Sequence, residues 1–143
     1  MKNNDNLFSL KNKVVIITGA GRGIGQYLAE KIVERDAIVY AIDKQFTKKT
    51  SKNSMKNLFK IKCDITKQDT FRQVCADIVR KKKKIDVLIN NAGISMANKQ
   101  SGKIYAKDKW DETLRINLTA HFSCSQEVIQ HCVDPDQGSI RLA

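Results

Sequence analysis

The chain has 143 residues, enough for one domain with a buried core and short for an enzyme built from two parts. Its 26 Lys+Arg against 15 Asp+Glu give a formal net charge of +11, which raises nucleic acid as a partner. The lysines are scattered, however, and the dense run Lys81 to Lys84 falls where a predicted helix ends and cations suit the macrodipole, so the charge reads as a solvated face and no nucleic-acid partner is expected.

In chain order, Lys13-Val14-Val15-Ile16-Ile17 is a short β-branched apolar run, the pattern of a strand covered on both faces. Thr18-Gly19-Ala20-Gly21-Arg22-Gly23-Ile24-Gly25 follows as a glycine turn, where backbone N–H groups can approach an anion at a helix start. The spacing predicts a helix over 25–36, with Ile24, Leu28, Ile32 and Val33 as its apolar stripe. Ala37 to Ile42 is a second buried strand ending on Asp43, and 44–57 is a polar loop or a ragged short helix.

Leu58 to Cys63 alternates apolar and basic residues, a third strand with one wetter face, and it ends on Asp64-Ile65. A helix begins near Thr66-Lys67-Gln68-Asp69 and carries Phe71, Val74, Cys75, Ile78 and Val79 at helical spacing. Ile85 to Ile89 is the fourth strand, closing on the turn Asn90-Asn91-Ala92-Gly93, with a polar loop over 95–107 beyond it. A long helix over 108–133 places Trp110, Leu114, Leu118, Phe122, Ile129 and Cys132 on one stripe. Pro135 stops it, residues 136–138 turn, and 139–143 open a fifth strand.

This alternation predicts an α/β fold, a Rossmann-like doubly wound parallel sheet that is incomplete at its C-terminus. Ligands then belong beyond the carboxyl ends of the strands, where the glycine turn, Asp43, Asp64 and Asn90 to Gly93 all fall. Cys63, Cys75, Cys124 and Cys132 have neither CxxC spacing nor a clustered framework, which suits reduced thiols. The polar start Met1 to Asn6 has no apolar leader, and no segment is long enough to span a bilayer, so a cytoplasmic protein without a membrane partner is expected. His121 and His131 lack partners at ligand spacing, and no metal is expected.

The dinucleotide fingerprint GxGxxG is not met, because Ile24 and Gln26 stand three residues after Gly21 and Gly23; a P-loop is excluded by the absence of GxxxxGK[ST]. The glycines fall instead as TGxxxGIG over Thr18 to Gly25, and Asn90-Asn91-Ala92-Gly93 spells NNAG. With both motifs in order, the chain resembles the N-terminal part of a short-chain dehydrogenase/reductase over nearly its whole length.

The resemblance implies nicotinamide-dinucleotide binding by Gly19, Arg22, Gly23, Ile24, Gly25, Asp43, Asp64, Ile65, Asn91, Ala92 and Gly93, with Asp64-Ile65 at the adenine. It assigns Asn117 to organising the active site and its proton relay; a polar residue there could equally be a satisfied core amide. Asp43 could accept hydrogen bonds from both ribose hydroxyls and would repel a 2′-phosphate, which favours NAD. Lys44 and Arg22 could pair with that phosphate, leaving NADP as the weaker alternative, and Asp43 could also be a plain strand-ending turn residue.

The family acts on small-molecule alcohols and carbonyls through a tyrosine, a lysine four residues later and a serine, all after the fifth strand. Residues 1–143 are therefore expected to form one NAD(P)-binding domain, truncated in that strand and inactive alone. Tyr105 and Lys109 have the Tyr-x-x-x-Lys spacing but precede Asn117, as do Ser95 and Ser101, and are expected to be surface residues. Long helices such as 108–133 form dimer interfaces in the family, which implies a homo-oligomer. The alternatives are a non-catalytic nucleotide-binding module or pseudo-enzyme, and an S-adenosylmethionine-dependent methyltransferase. The last rests on GxGxG at Gly19 to Gly23 and is weaker, since Thr18 rather than an acid closes the strand and NNAG has no counterpart there.

Overall fold

A computed structural model describes residues 9–46, 55–95 and 106–132. Its four strands, β1 (Val14–Thr18), β2 (Ile38–Asp43), β3 (Leu58–Lys62) and β4 (Val87–Ile89), are parallel and lie in the order β3-β2-β1-β4. Helix α1 (Gly23–Val33) follows β1 and α2 (Gln68–Lys82) follows β3. After β4 the chain runs as α3 (Lys107–Leu114), a π-helical segment (Arg115–Ala120) and α4 (His121–Cys132). This is the expected Rossmann-like arrangement. The strand order reverses between β1 and β4, the position where open α/β sheets bind ligands beyond their strand ends.

The two-residue period of β1 sorts its side chains between two cores. Val14 and Ile16 join Tyr40, Ile42, Phe71, Ile78, Leu88 and Val128 on the side of α2 and α4. Val15 and Ile17 join Ala29, Ala37, Val39 and Ala41 under α1, where small side chains let the helix lie close to the sheet. β1 is buried along its whole length as a result. Among the described residues only α1 covers that second face, and Val87 and Ile89 of β4 stay half-buried there.

Helix α1 starts two residues earlier than the spacing predicts, and Ile24, expected on its inner stripe, is 74% exposed. The first turn overhangs the carboxyl edge of the sheet, so the core contacts begin with Gly25, Leu28 and Ala29. β3 is the edge strand: Lys60 and Lys62 are exposed, while Phe59 stacks on Tyr40 at 5.1 Å with the Lys82 ammonium 5.5 Å from its ring. α2 ends inside the lysine run as expected, with Lys83 left-handed and its N–H donated to the Val79 carbonyl at 2.7 Å.

The long helix differs from its expected stripe. Trp110, Leu114, Leu118 and Phe122 are exposed, and the row facing the sheet is Ala120, Cys124 and Val128. Both rows repeat every four residues, a spacing that drifts around an α-helix of 3.6 residues per turn; the wider π segment, which the outer row crosses between Leu114 and Phe122, offsets part of that drift there. No helix among the described residues is long and apolar enough to cross a membrane. Pro135, the 136–138 turn, the fifth strand over 139–143, Tyr105 and Ser101 lie outside the described residues; Lys109 and Ser95 are exposed.

Asp86, just ahead of β4, accepts the Val14 N–H at 2.8 Å and pairs with Lys84 at 2.9 Å and Lys13 at 3.5 Å. Burial alone would raise its pKa, but the Val14 hydrogen bond and the two lysines outweigh burial and hold the carboxyl below its usual value. The unfolded value is about 3.9, so this stabilisation is present above about pH 4 and is lost as pH falls through the lower folded value. Asp86→Asn is expected to cost roughly 1–2 kcal/mol at neutral pH. In thermal melts its gap from wild type closes on acidification; a gap that stays constant at all acidic pH values would contradict this role.

Candidate functional site

The ends of β1 and β4 are tied by one buried hydroxyl. Thr18 Oγ1 accepts the N–H groups of Asn91 at 3.1 Å and Ala92 at 3.2 Å and donates to the Ile89 carbonyl at 3.4 Å. The Asn91 side-chain amide donates in return to the carbonyls of Thr18 at 2.9 Å and Gly19 at 3.0 Å. The glycine turn and the Asn91-Ala92-Gly93 turn are thereby pressed backbone to backbone. At Gly19, φ is +66° and a Cβ would stand 2.6 Å from the Ala92 Cα; at Gly25 a Cβ would strike the Asn91 amide and the Gly19 carbonyl. Only glycine fits at either position.

Asp43, at the end of β2, braces the same turn. Its Oδ2 accepts the Gly21 N–H at 2.8 Å and its Oδ1 accepts the Gln45 N–H at 3.0 Å. The bond to Gln45, two residues on, is the strand-ending turn that the sequence left open for Asp43 beside the ribose role; the bond to Gly21 across the sheet edge was not visible there. A carboxylate offers about four lone-pair sites, so both oxygens retain capacity for a ligand. α1 begins at Arg22 without a side-chain cap and without an acid in its first turn, which leaves its first N–H groups unspent by side chains.

These elements surround a cavity of about 470 Å³. Gly19, Arg22, Gly23, Ile24, Gly25, Asp43, Asp64, Ile65, Asn91, Ala92 and Gly93 all line it. The exposure of Ile24 is accounted for here, since it stands on the cavity wall instead of in the core. Asn117 does not line the cavity. It sits in the π segment, exposed and not a core amide, and pairs both ways with the Ile94 backbone, accepting its N–H and donating to its carbonyl, each at 2.9 Å. It thus holds the chain just beyond Gly93.

Asp64 turns Oδ1 to the Thr66 N–H at 3.0 Å and hydroxyl at 2.8 Å. Burial opposes its ionisation, but the two Thr66 bonds, followed by the nearby Arg115 and Lys44 charges, lower its pKa overall. Burial raises the Cys63 thiol, with a further push from Asp64, and burial with Cys63 nearby pushes Cys124 up to about 12. Both thiols stay protonated at neutral pH and are poor nucleophiles. Among the described residues no group of three or more His, Cys, Asp or Glu is placed to hold a metal ion.

Sequence reasoning missed Glu112, Arg115 and Ile116, which line the cavity from the long helix. No motif marks them, because packing of the helix against β4 brings them in. Thr66 was read only as part of a helix start; its place two residues after an aspartate was the available signal for the Asx-type turn it makes.

Residues 13–141 match the short chain dehydrogenase family. The chain is 30% identical over 138 residues to an NAD-dependent glycerol dehydrogenase of Listeria innocua, covering 95% of this chain and 54% of the relative. It is 31% identical over 134 residues to a 3-oxoacyl-[acyl-carrier-protein] reductase of Buchnera aphidicola, covering 92% and 54%. Thermoplasma acidophilum aldohexose dehydrogenase superposes with a TM-score of 0.74 at 28% identity, covering 87% of this chain and 46% of that one. The chain spans about half the length of the curated relatives it matches. With the match running from β1 to beyond α4, the chain belongs to the short-chain dehydrogenase/reductase family.

Proposed function

We propose that this chain is the nicotinamide-dinucleotide-binding part of an oxidoreductase acting on a small alcohol or carbonyl compound, and that it prefers NAD to NADP. The observation that carries this reading is the convergence of the glycine turn, Asp43, Asp64-Ile65 and Asn91 to Gly93 on one cavity at the strand-order switch. The residues present fit such a ligand. The uncapped start of α1 and the close-packed Gly19 and Gly25 suit a diphosphate, Asp43 suits ribose hydroxyls, and Asp64 with Ile65 suits adenine. When bound, the dinucleotide supplies the redox chemistry; Asn117 positions the Ile94 backbone beside it.

Asp43 disfavours a 2′-phosphate, and the name of the Listeria relative supports NAD. Lys44 and Arg22 on the same wall let NADP bind more weakly instead of not at all. Residues 118–143 contain neither a tyrosine nor a lysine, so a Tyr-x-x-x-Lys pair after Asn117 has no counterpart in the 143-residue chain. On this reading the chain by itself holds the cofactor without turnover, as a binding module.

Calorimetric titration of the purified chain should show NAD binding at millimolar or lower concentration, NADP weaker by about tenfold, equivalent to ~1.4 kcal/mol, and no reduced dinucleotide on adding alcohols. Absence of NAD binding overturns the reading, and turnover overturns the binding-module part of it. We also infer that the exposed row Trp110, Leu114, Leu118 and Phe122 pairs with a second copy of the chain, since so much aligned apolar surface is unusual on a monomer. Sedimentation should find a dimer that Leu118→Glu dissociates; a wild-type monomer at all concentrations would refute this.

A further inference from the structure

The cavity has a second wall that none of the sequence motifs supplies. Arg115, with Glu112 and Ile116, lines it from the long helix, while Asp64, Ile65 and Thr66 line it from the end of β3. A terminal nitrogen of Arg115 lies 3.6 Å from Glu112 Oε1, one helical turn away, which steadies the guanidinium and leaves its other donors and its planar face uncommitted to that pair. The backbone beneath it is anchored too, because Asn117, two residues on, is clamped to Ile94. Arg115 opens the π segment, and a π segment within a helix is a frequent mark of a functional site.

We propose that Arg115 is a cofactor-binding residue whose guanidinium covers the adenine ring of the dinucleotide from the helix side, opposite Asp64, Ile65 and Thr66. The assignment rests on the dinucleotide reading above. A guanidinium is planar and stacks on π faces, where a lysine ammonium is a compact, strongly hydrated charge. Its charge also suits the place: Arg115 is near enough to Asp64 to help keep that carboxylate ionised, ready to accept from an exocyclic amine. The two walls divide the work, with the strand end reading the edge of the base and the helix covering its face.

The test titrates NAD and ADP-ribose into wild type, Arg115→Ala and Arg115→Lys, with thermal melts to show that all three are folded. Arg115→Ala should weaken NAD and ADP-ribose equally, by about five- to twentyfold, because the loss belongs to the adenosine half that both share. Arg115→Lys should recover less than half of that loss on a logarithmic scale. Unchanged affinity in Arg115→Ala overturns the assignment, as does a loss for NAD that ADP-ribose does not show, or full recovery by lysine. A wild-type chain that binds neither ligand overturns the dinucleotide reading itself, and the Arg115 assignment with it; wild-type binding that the variants leave untouched overturns Arg115 alone.

Discussion

The buried hydroxyl of Thr18 is the interaction on which the site depends. Two parallel strands that end side by side leave backbone N–H and C=O groups without ladder partners, and buried groups of that kind cost about 1–3 kcal/mol each when unmet. Thr18 Oγ1 meets the N–H groups of Asn91 and Ala92, and the Asn91 amide meets the carbonyls of Thr18 and Gly19. Satisfying these groups draws the two turns together until a side chain at Gly19 or Gly25 would collide with its neighbour. The glycine pattern is thus a consequence of the clasp as much as a provision for a phosphate.

Around that clasp the other parts take their positions. Asp43 fixes the Gly21 end of the turn from β2, and Asn117 fixes Ile94 from the π segment, so the two turns are braced from opposite sides. The space between the braces carries three cations, Arg22, Lys44 and Arg115, and three carboxylates, Asp43, Asp64 and Glu112. Mixed charge of this sort suits a ligand that presents both a diphosphate and hydrogen-bond donors, and it would serve a uniformly acidic polymer poorly. The net charge of +11 does not describe the cavity, whose three cations face three carboxylates.

Much of this was legible in the amino-acid sequence because short-range chemistry writes it there. β-branched runs mark the buried strands, and the TGxxxGIG and NNAG motifs sit at strand ends by their order alone. The misreadings share a physical cause, in that periodicity shows which residues are apolar and not which neighbour they meet. Ile24 fits a helical stripe yet overhangs the sheet edge, and the row from Trp110 to Phe122 fits one too yet faces outward while Ala120, Cys124 and Val128 face the sheet. The π segment left no trace in the hydrophobic pattern. For that reason the contribution of Arg115 and the pairing of Asn117 with Ile94 were not visible before the helix was placed.

The most direct measurement compares wild type with Thr18→Val, which keeps the shape of the side chain and removes only the hydroxyl. Amide hydrogen exchange at Asn91 and Ala92 should accelerate while β4 stays protected, and NAD affinity should fall by tenfold or more, in line with two half-buried N–H groups losing their acceptor at ~1 kcal/mol or more each. A folded Thr18→Val chain with unchanged exchange at those amides and wild-type NAD affinity would contradict the view that this clasp builds the site.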